Sequence, residues 1–253
     1  MGGNVAPNIV KDGLRLYIDG ANIYSYSGTG TNWVDLTTNR TNFSLVNGPT
    51  FDSSNGGNIL FDGTNDYGNT TYNSSLSVSS AHTIECWFYS TGKPVTSIYD
   101  GSGTLIRAGQ VEDCNFQMNF IYDYGAIGYL WFTSTNGNSY SQPGGKVGSF
   151  YFVGSQNYVA SANTWNLATA TRDGSTIKIY VNGVLSTTTT GATLPTNNSW
   201  ISYFGGSLSL GRTTTTTAIN YQGKIAIARI YARPLTDDEV LQNYNAHKTR
   251  FGR

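Results

Sequence analysis

Apolar and polar residues alternate with a period of two in run after run of this chain. In residues 175–181, STIKIYV, Ile177, Ile179 and Val181 share one face, and Thr176, Lys178 and Tyr180 share the other. Residues 13–19, GLRLYID, set Leu14, Leu16 and Ile18 against Arg15 and Tyr17. Residues 58–62 (NILFD), 83–89 (TIECWFY), 115–122 and 129–132 read as further strands. Residues 223–232, GKIAIARIYA, set Ile225, Ile227 and Arg229 against Ala226, Ala228 and Ile230. Asp173-Gly174 and Asn182-Gly183 are pairs that two-residue hairpins select, because a type I′ turn needs positive φ at both central positions. Residues 163–190 therefore predict a three-stranded antiparallel meander, one face of it turned to a core.

One helix is predicted, at the end of the chain. Thr236-Asp237-Asp238-Glu239 spells a capping box, with Thr236 as N-cap and Glu239 at the third helical position. Leu235 and Val240 can close a hydrophobic staple around it, and Val240, Leu241 and Tyr244 give the helix an apolar face for docking. Residues 20–42 form a long irregular loop that Trp33 and Leu36 should pin to the body of the protein. The fold class that follows is all-β, a two-sheet antiparallel sandwich with a short C-terminal helix. Residues 1–12 read as an N-terminal arm and residues 13–253 as a single domain.

Composition narrows the function. Of 253 residues, 12% are charged and 13% aromatic, with 18 Tyr and a formal net charge of zero, so no basic field points to nucleic acid or to an anionic membrane. No apolar run is long enough to span a bilayer as a helix. Residues 2–13 have neither the charged nor the apolar region of a secretion signal, which leads to an expectation of synthesis and folding in a host cytoplasm without export. Cys86 and Cys114 lack metal-ligand spacing, and two buried thiols are preferred over a disulfide.

Catalytic chemistry is poorly supplied. A retaining glycosidase needs two carboxyl groups about 5–5.5 Å apart. The three glutamates, Glu85, Glu112 and Glu239, have no second acid two or four residues away on a strand. The only histidines are His82 and His247, and no nucleophile elbow, zinc-protease or phosphate-loop motif occurs. No enzyme and no cofactor are expected. Asp62-Gly63-Thr64-Asn65-Asp66 offers Asp62 and Asp66 as hard oxygen ligands for a structural calcium, but turn chemistry alone explains these residue types and is the preferred reading. Tyr-, Gly- and Asn-rich loops around residues 122–148 suggest sugar binding, since a pyranose has an apolar C–H face and a hydroxyl rim. Tyr124, Tyr129, Trp131 and Tyr140 are the candidate glycan contacts. The competing reading is that these rings fill the sandwich or meet a neighbouring subunit.

Several of these strings resemble a known family. N-T-W-x-x-x-x-x-T-R-D-G-S-x-I-K-I-Y-V-N-G at residues 163–183 resembles the central meander of laminin-G-like domains, which belong to the concanavalin A-like lectin/glucanase superfamily of jelly rolls. D-G-L-x-L-x-x-D at 12–19, S-Y-S-G-T-G-T-x-W-x-D-L at 25–36 and N-G-P-T-F at 47–51 follow one another in an order similar to laminin-G-like domains of virion proteins of tailed bacterial viruses. So do N-G-G-x-I-x-F-D-G-T-N-D-Y at 55–67, T-I-E-x-W-F-Y at 83–89 and the closing G-x-I-x-x-x-R-I-Y-x-R-x-L-T-x-x-E. The stretch 92–152 departs from that pattern. The resemblance implies a concanavalin A-like jelly roll and a non-enzymatic structural protein on the exterior of a bacterial-virus particle, as a capsid decoration or fibre component. It also implies capsid or other virion proteins, or further copies of the chain, as partners. Val5, Ile9 and Val10 of the arm are the expected partner contacts. The alternative function is an adhesion module that recognises host-surface sugars, and a jelly-roll glucanase is disfavoured.

Overall fold

A computed structural model describes residues 7–71, 81–91, 103–110, 113–121, 126–134, 148–154, 160–190, 207–212 and 220–253. Two antiparallel sheets face each other. Sheet A comprises β1 (Leu14–Asp19), β4 (Thr50–Asp52), β5 (Asn58–Asp62), β7 (Ala81–Ser90), β12 (Trp165–Asp173), β13 (Thr176–Val181), β14 (Val184–Thr189) and β16 (Gln222–Tyr231). Its order is β14-β13-β12-β7-β16-β5-β4, and β1 pairs with the remainder of the long β16. Sheet B runs β11 (Gly148–Gly154), β10 (Ala126–Ser134), β9 (Asp113–Ile121), β8 (Thr104–Gln110), β15 (Ser207–Leu210), β6 (Tyr67–Thr71), β3 (Phe43–Val46) and β2 (Asn32–Trp33). This is the two-sheet antiparallel sandwich expected from the alternation and the jelly roll that the resemblance implies, with one short helix, α1 (Asp237–His247). Among the described residues, no helix is long and apolar enough to cross a membrane.

The core lies between the sheets. Ile84, Cys86 and Phe88 of β7, Ile177 and Ile179 of β13, and Ile225 and Ile230 of β16 meet Ile106, Met118, Phe120 and Leu210 from sheet B, all at most 1% exposed. The rings of Phe88 and Phe120 touch across the gap at 5.1 Å. Trp33 is fully buried in this core and Leu36 N–H donates to the Tyr17 carbonyl at 2.8 Å, so the long loop is pinned as expected. Cys86 is a free thiol whose ionisation burial pushes up; the Cys114 side chain lies outside the described residues.

Two local readings need correction. The meander forms, but its first loop is Gly174-Ser175, because Asp173 pairs with Thr176. Positive φ occurs at Gly174 (55°) and not at Ser175, as a II′ turn requires, whereas Asn182 (53°) and Gly183 (79°) make the I′ turn. In β16 the period breaks at Ala226. Ile225 stands opposite Phe88 and Ile227 opposite Trp87, so one extra residue is inserted between them. Ile225 therefore faces the core with Ala228 and Ile230, while Ile227 and Arg229 face outward, where unbroken alternation would have kept all three together.

The C-terminal helix is capped as its sequence predicts. Glu239 N–H donates to Thr236 Oγ1 at 3.3 Å, and Thr236 N–H donates to Glu239 Oε2 at 2.9 Å. Leu235 and Val240 pack in one apolar cluster with Val10, Tyr180 and Tyr231.

Candidate functional site

The outward face of sheet A is closed. Thr83, Glu85, Trp87 and Tyr89 alternate with the core residues of β7, and α1 with the 3-10 turn Lys248–Phe251 lies over them. The Trp87 ring is stacked between Phe251 at 4.3 Å and Tyr244 at 5.7 Å. Arg250 fastens the turn, donating to Asp19 Oδ1 at 2.7 Å and to the Gly57 and Asn55 carbonyls at 2.6 Å each.

Beneath this cover lies an ion pair. Arg229 Nε is 2.9 Å from Glu85 Oε2, and both side chains are 0% exposed. Thr169 Oγ1 (3.2 Å) and Asn243 Nδ2 (3.0 Å) donate to the same carboxylate. Burial pushes the Glu85 carboxyl up, and Arg229 with the two donors holds it down. The attraction to Arg229 is first Coulombic, with the close Nε–Oε2 approach adding to it, and the Tyr17 ring is 6.0 Å from the guanidinium. The sequence marked Glu85 as lone among core residues; a lone opposite charge in a second apolar strand, Arg229, was the available sign of its partner.

Other described carboxylates are committed to the scaffold. Asp35 accepts from the N–H groups of Tyr17, Thr37 and Thr41 at 2.9–3.0 Å and shapes its loop. Glu239 receives two hydrogen bonds from Arg233, at 2.8 and 2.6 Å, and Arg233 first among its causes holds its pKa down to about 2. Asp62 Oδ1 accepts from Thr64 N–H at 2.7 Å, and that bond holds its carboxyl low. Asp66 Oδ2 accepts from Asp62 N–H at 3.1 Å, and burial raises its carboxyl. These are turn contacts, and among the described residues no three His, Cys, Asp or Glu side chains gather as a metal site.

The expected arm contacts divide. Val10 is buried on its own chain, its N–H donating to Asn243 Oδ1 at 2.8 Å and its carbonyl accepting from Tyr231 at 3.1 Å. It contributes to the fold and is not displayed to a partner. Ile9 is half-buried, and Val5 lies outside the described residues. Tyr124 and Tyr140 also lie outside them. Tyr129 is paired in register with Met118, a core residue, and Trp131 follows two positions along β10. The side chains of both lie outside the described residues.

The outward face of sheet B is built differently. Strand register sets Asn32, Ser44, Asn69, Ser209, Arg107 and Gln117 side by side on six successive strands. The neighbouring parity is apolar: Leu45, Leu210, Ile106 and Met118 belong to the core. Asn32 and Ser44 are exposed and Asn69 is half-buried, while Ser209 and Arg107 are buried, so the row runs from solvent to a covered end. Beside it, Thr104 Oγ1 donates to Asn119 Oδ1 at 3.0 Å. At the open end, Tyr67 is two residues from Asn69 on the same face, and the Arg212 guanidinium lies 4.3 Å over its ring. Hydroxyl, amide and guanidinium groups spread on a rigid sheet can exchange hydrogen bonds with a polyhydroxylated ligand. Sequence reading missed this row because sheet order, not chain order, assembles it.

Comparison with known proteins agrees with the architecture. A laminin-G-like family model, described as concanavalin A-like lectin/glucanases superfamily, matches residues 62–241. No curated protein matches at a significant level. Among solved structures, the binding domain of botulinum neurotoxin serotype G is similar over 91% of this chain and 50% of its own, at 16% identity and a TM-score of 0.62. The binding domain of botulinum neurotoxin DC in complex with SialylT is similar over 93% and 52%, at 14% identity and a TM-score of 0.64. Domain 4 of AbnA, an extracellular arabinanase from Geobacillus stearothermophilus, in complex with arabinotriose, is similar over 93% of this chain and 100% of its own, at 15% identity and a TM-score of 0.62. The chain spans about half the length of the neurotoxin binding domains it matches. The shared architecture, with a family match across most of the sandwich, places this chain in the concanavalin A-like lectin/glucanases superfamily as a laminin-G-like domain.

Proposed function

We propose that this domain is a non-catalytic, glycan-binding module that uses the outward face of sheet B. The observation that carries the reading is the polar row from Asn32 to Gln117, which lies opposite a face closed by aromatic packing. Two of the solved neighbours named above are binding domains, one of them in complex with SialylT, and the third is a domain in complex with arabinotriose, which supports a binding role over a catalytic one. Tyr124 and Tyr140, which precede and follow β10 in the sequence, are proposed as stacking rings. Tyr129 and Trp131, which are positions of β10, are proposed as glycan contacts alongside them. A glycan array, followed by titration of hits against wild type and an Asn69→Ala variant, tests the reading. Binding weakened by the substitution is expected; silence across the array, or release of reducing sugar from any bound glycan, overturns it.

The virion setting is proposed on the sequence resemblance. A surface structural protein could carry the same glycan-binding face, with particle proteins or further copies of the chain as partners. Absence of the protein from purified particles would overturn that setting without touching the sugar reading.

A further inference from the structure

Among the described residues, a single aromatic ring is exposed. Tyr24 keeps 82% of its surface open to solvent, and Ile23 beside it keeps 66%. The backbone that carries this pair is held on both sides. Asn22 Oδ1 accepts from Tyr24 N–H at 2.9 Å, and the Asn22 carbonyl accepts from the N–H groups of Ser25 and Tyr26 at 2.8 Å each. The next two residues are buried. Ser25 Oγ donates to the Val34 carbonyl at 2.6 Å and accepts from Asp19 N–H at 3.0 Å. The Tyr26 ring lies 5.5 Å from that of Phe51, and its hydroxyl donates to the Gly30 carbonyl at 2.6 Å. A fixed turn therefore presents Tyr24, and little ordering entropy is left to lose when a ligand meets the ring.

Charge and position indicate what the ring meets. Residues 20–34 contain no Asp, Glu, Lys, Arg or His. The acids that flank this stretch, Asp19 and Asp35, are buried and committed, one to Arg250 and the other to backbone N–H groups. The same stretch exposes Ser27, Thr29, Thr31 and Asn32. As to position, Val34 N–H donates to the Ser25 carbonyl at 2.7 Å. The residue after Tyr24 is thus bonded to the residue after β2, the edge strand of sheet B on which Asn32 begins the polar row. An apolar ring in a run of amides and hydroxyls without charge matches the C–H face and hydroxyl rim of an uncharged pyranose. We infer that Tyr24, with Ile23 and Asn32, forms a stacking subsite for a neutral sugar ring at the β2 edge of sheet B. This inference rests on the glycan-binding reading above and names the sugar class that this edge takes.

Calorimetric titration of the full chain tests it, with cellotriose, galactotriose, mannotriose, xylotriose and the tightest neutral glycan on the array as probes. At least one should bind, and Tyr24→Ala should weaken that probe about tenfold, the loss of one ring's contact face. Tyr24→Phe keeps the face and should retain most of the affinity. Raising salt from about 50 mM to about 500 mM should change binding by less than about twofold, because no charge takes part. Circular dichroism confirms that each variant is folded, as expected for so exposed a side chain. Undiminished binding in Tyr24→Ala, binding that salt abolishes, or an array on which only charged glycans bind overturns the subsite while leaving the glycan module standing. Sedimentation of the wild type as a dimer and of Tyr24→Ala as a monomer also overturns it, since a second copy would then cover the ring. No binding of any probe, together with a silent array, overturns both.

Discussion

The two outward faces of this sandwich start from the same alternation and end in opposite states. On β7 the outward positions read Thr83, Glu85, Trp87 and Tyr89, and a helix with its 3-10 extension covers them. On β3, β6, β15 and β8 they read Ser44, Asn69, Ser209 and Arg107, with short polar groups predominating. The first face has become a second core, with its own aromatic stack and its own ion pair. The difference teaches that outward parity alone does not make a functional surface. Cover depends on what packs over the face and not on side-chain size alone: Ser209 is 1% exposed, while Ser44 on the same row is open to solvent.

The comparison can be broken most forcefully at the ion pair. Arg229→Met should destabilise the domain by about 3–5 kcal/mol in urea unfolding, because Glu85 would be left buried without its counter-charge. Adding Glu85→Leu should recover much of the loss, since the desolvated carboxylate is then gone too. A single variant as stable as wild type would mean that this face is open to water. Next in size, Phe251→Ala should cost about 3 kcal/mol and shift tryptophan emission to the red, as Trp87 and Trp165 lose the ring that covers them.

Acid provides a third test of the closed face. Burial, then the Arg229 charge, with Arg250 adding to it, outweighs Asp19 and lowers the pKa of His247 to about 4, from 6.5. The unfolded chain therefore binds a proton that the folded chain refuses between those values. Stability should fall as pH drops from 6.5 toward 4, with no further loss from this group below 4. Denaturation midpoints across that range should show the slope, and His247→Gln should flatten it.

Two smaller effects complete the contrast. Thr236→Ala removes the cap hydroxyl of α1 and should cost about 1 kcal/mol in the same unfolding assay. Ser44→Ala on the polar face should change stability by less than about 0.5 kcal/mol, because an exposed hydroxyl contributes little to the fold. It should still weaken glycan binding, and a large stability loss there would show that the row is structural.

Local signals carried the sequence reading a long way. The strand 58–62, the Asn182-Gly183 turn and the Thr236 capping box stand where composition and spacing predicted them. What escaped was set by long-range pairing. The extra residue at Ala226 reverses the parity of Ile227 and Arg229, and nothing in KIAIARIY announces an insertion. The polar row unites residues 32, 44, 69, 107, 117 and 209, whose adjacency depends on β15 lying between β6 and β8.

The location of Asn8 and of Arg253 has a practical meaning for how the domain can be displayed. Gln242 donates to the Asn8 carbonyl at 2.7 Å, and Arg253 donates to the Trp165 carbonyl at 2.7 Å, so the first described residues and the last one both lie on the helix side. A tether attached at Arg253 leaves from the back of the sandwich. A domain immobilised that way on a bead, a sensor chip or a larger scaffold presents sheet B to the medium without a linker folding around it. Many copies fixed at their backs form a carpet of parallel, outward-turned faces, an arrangement in which weak individual contacts add up to strong adhesion.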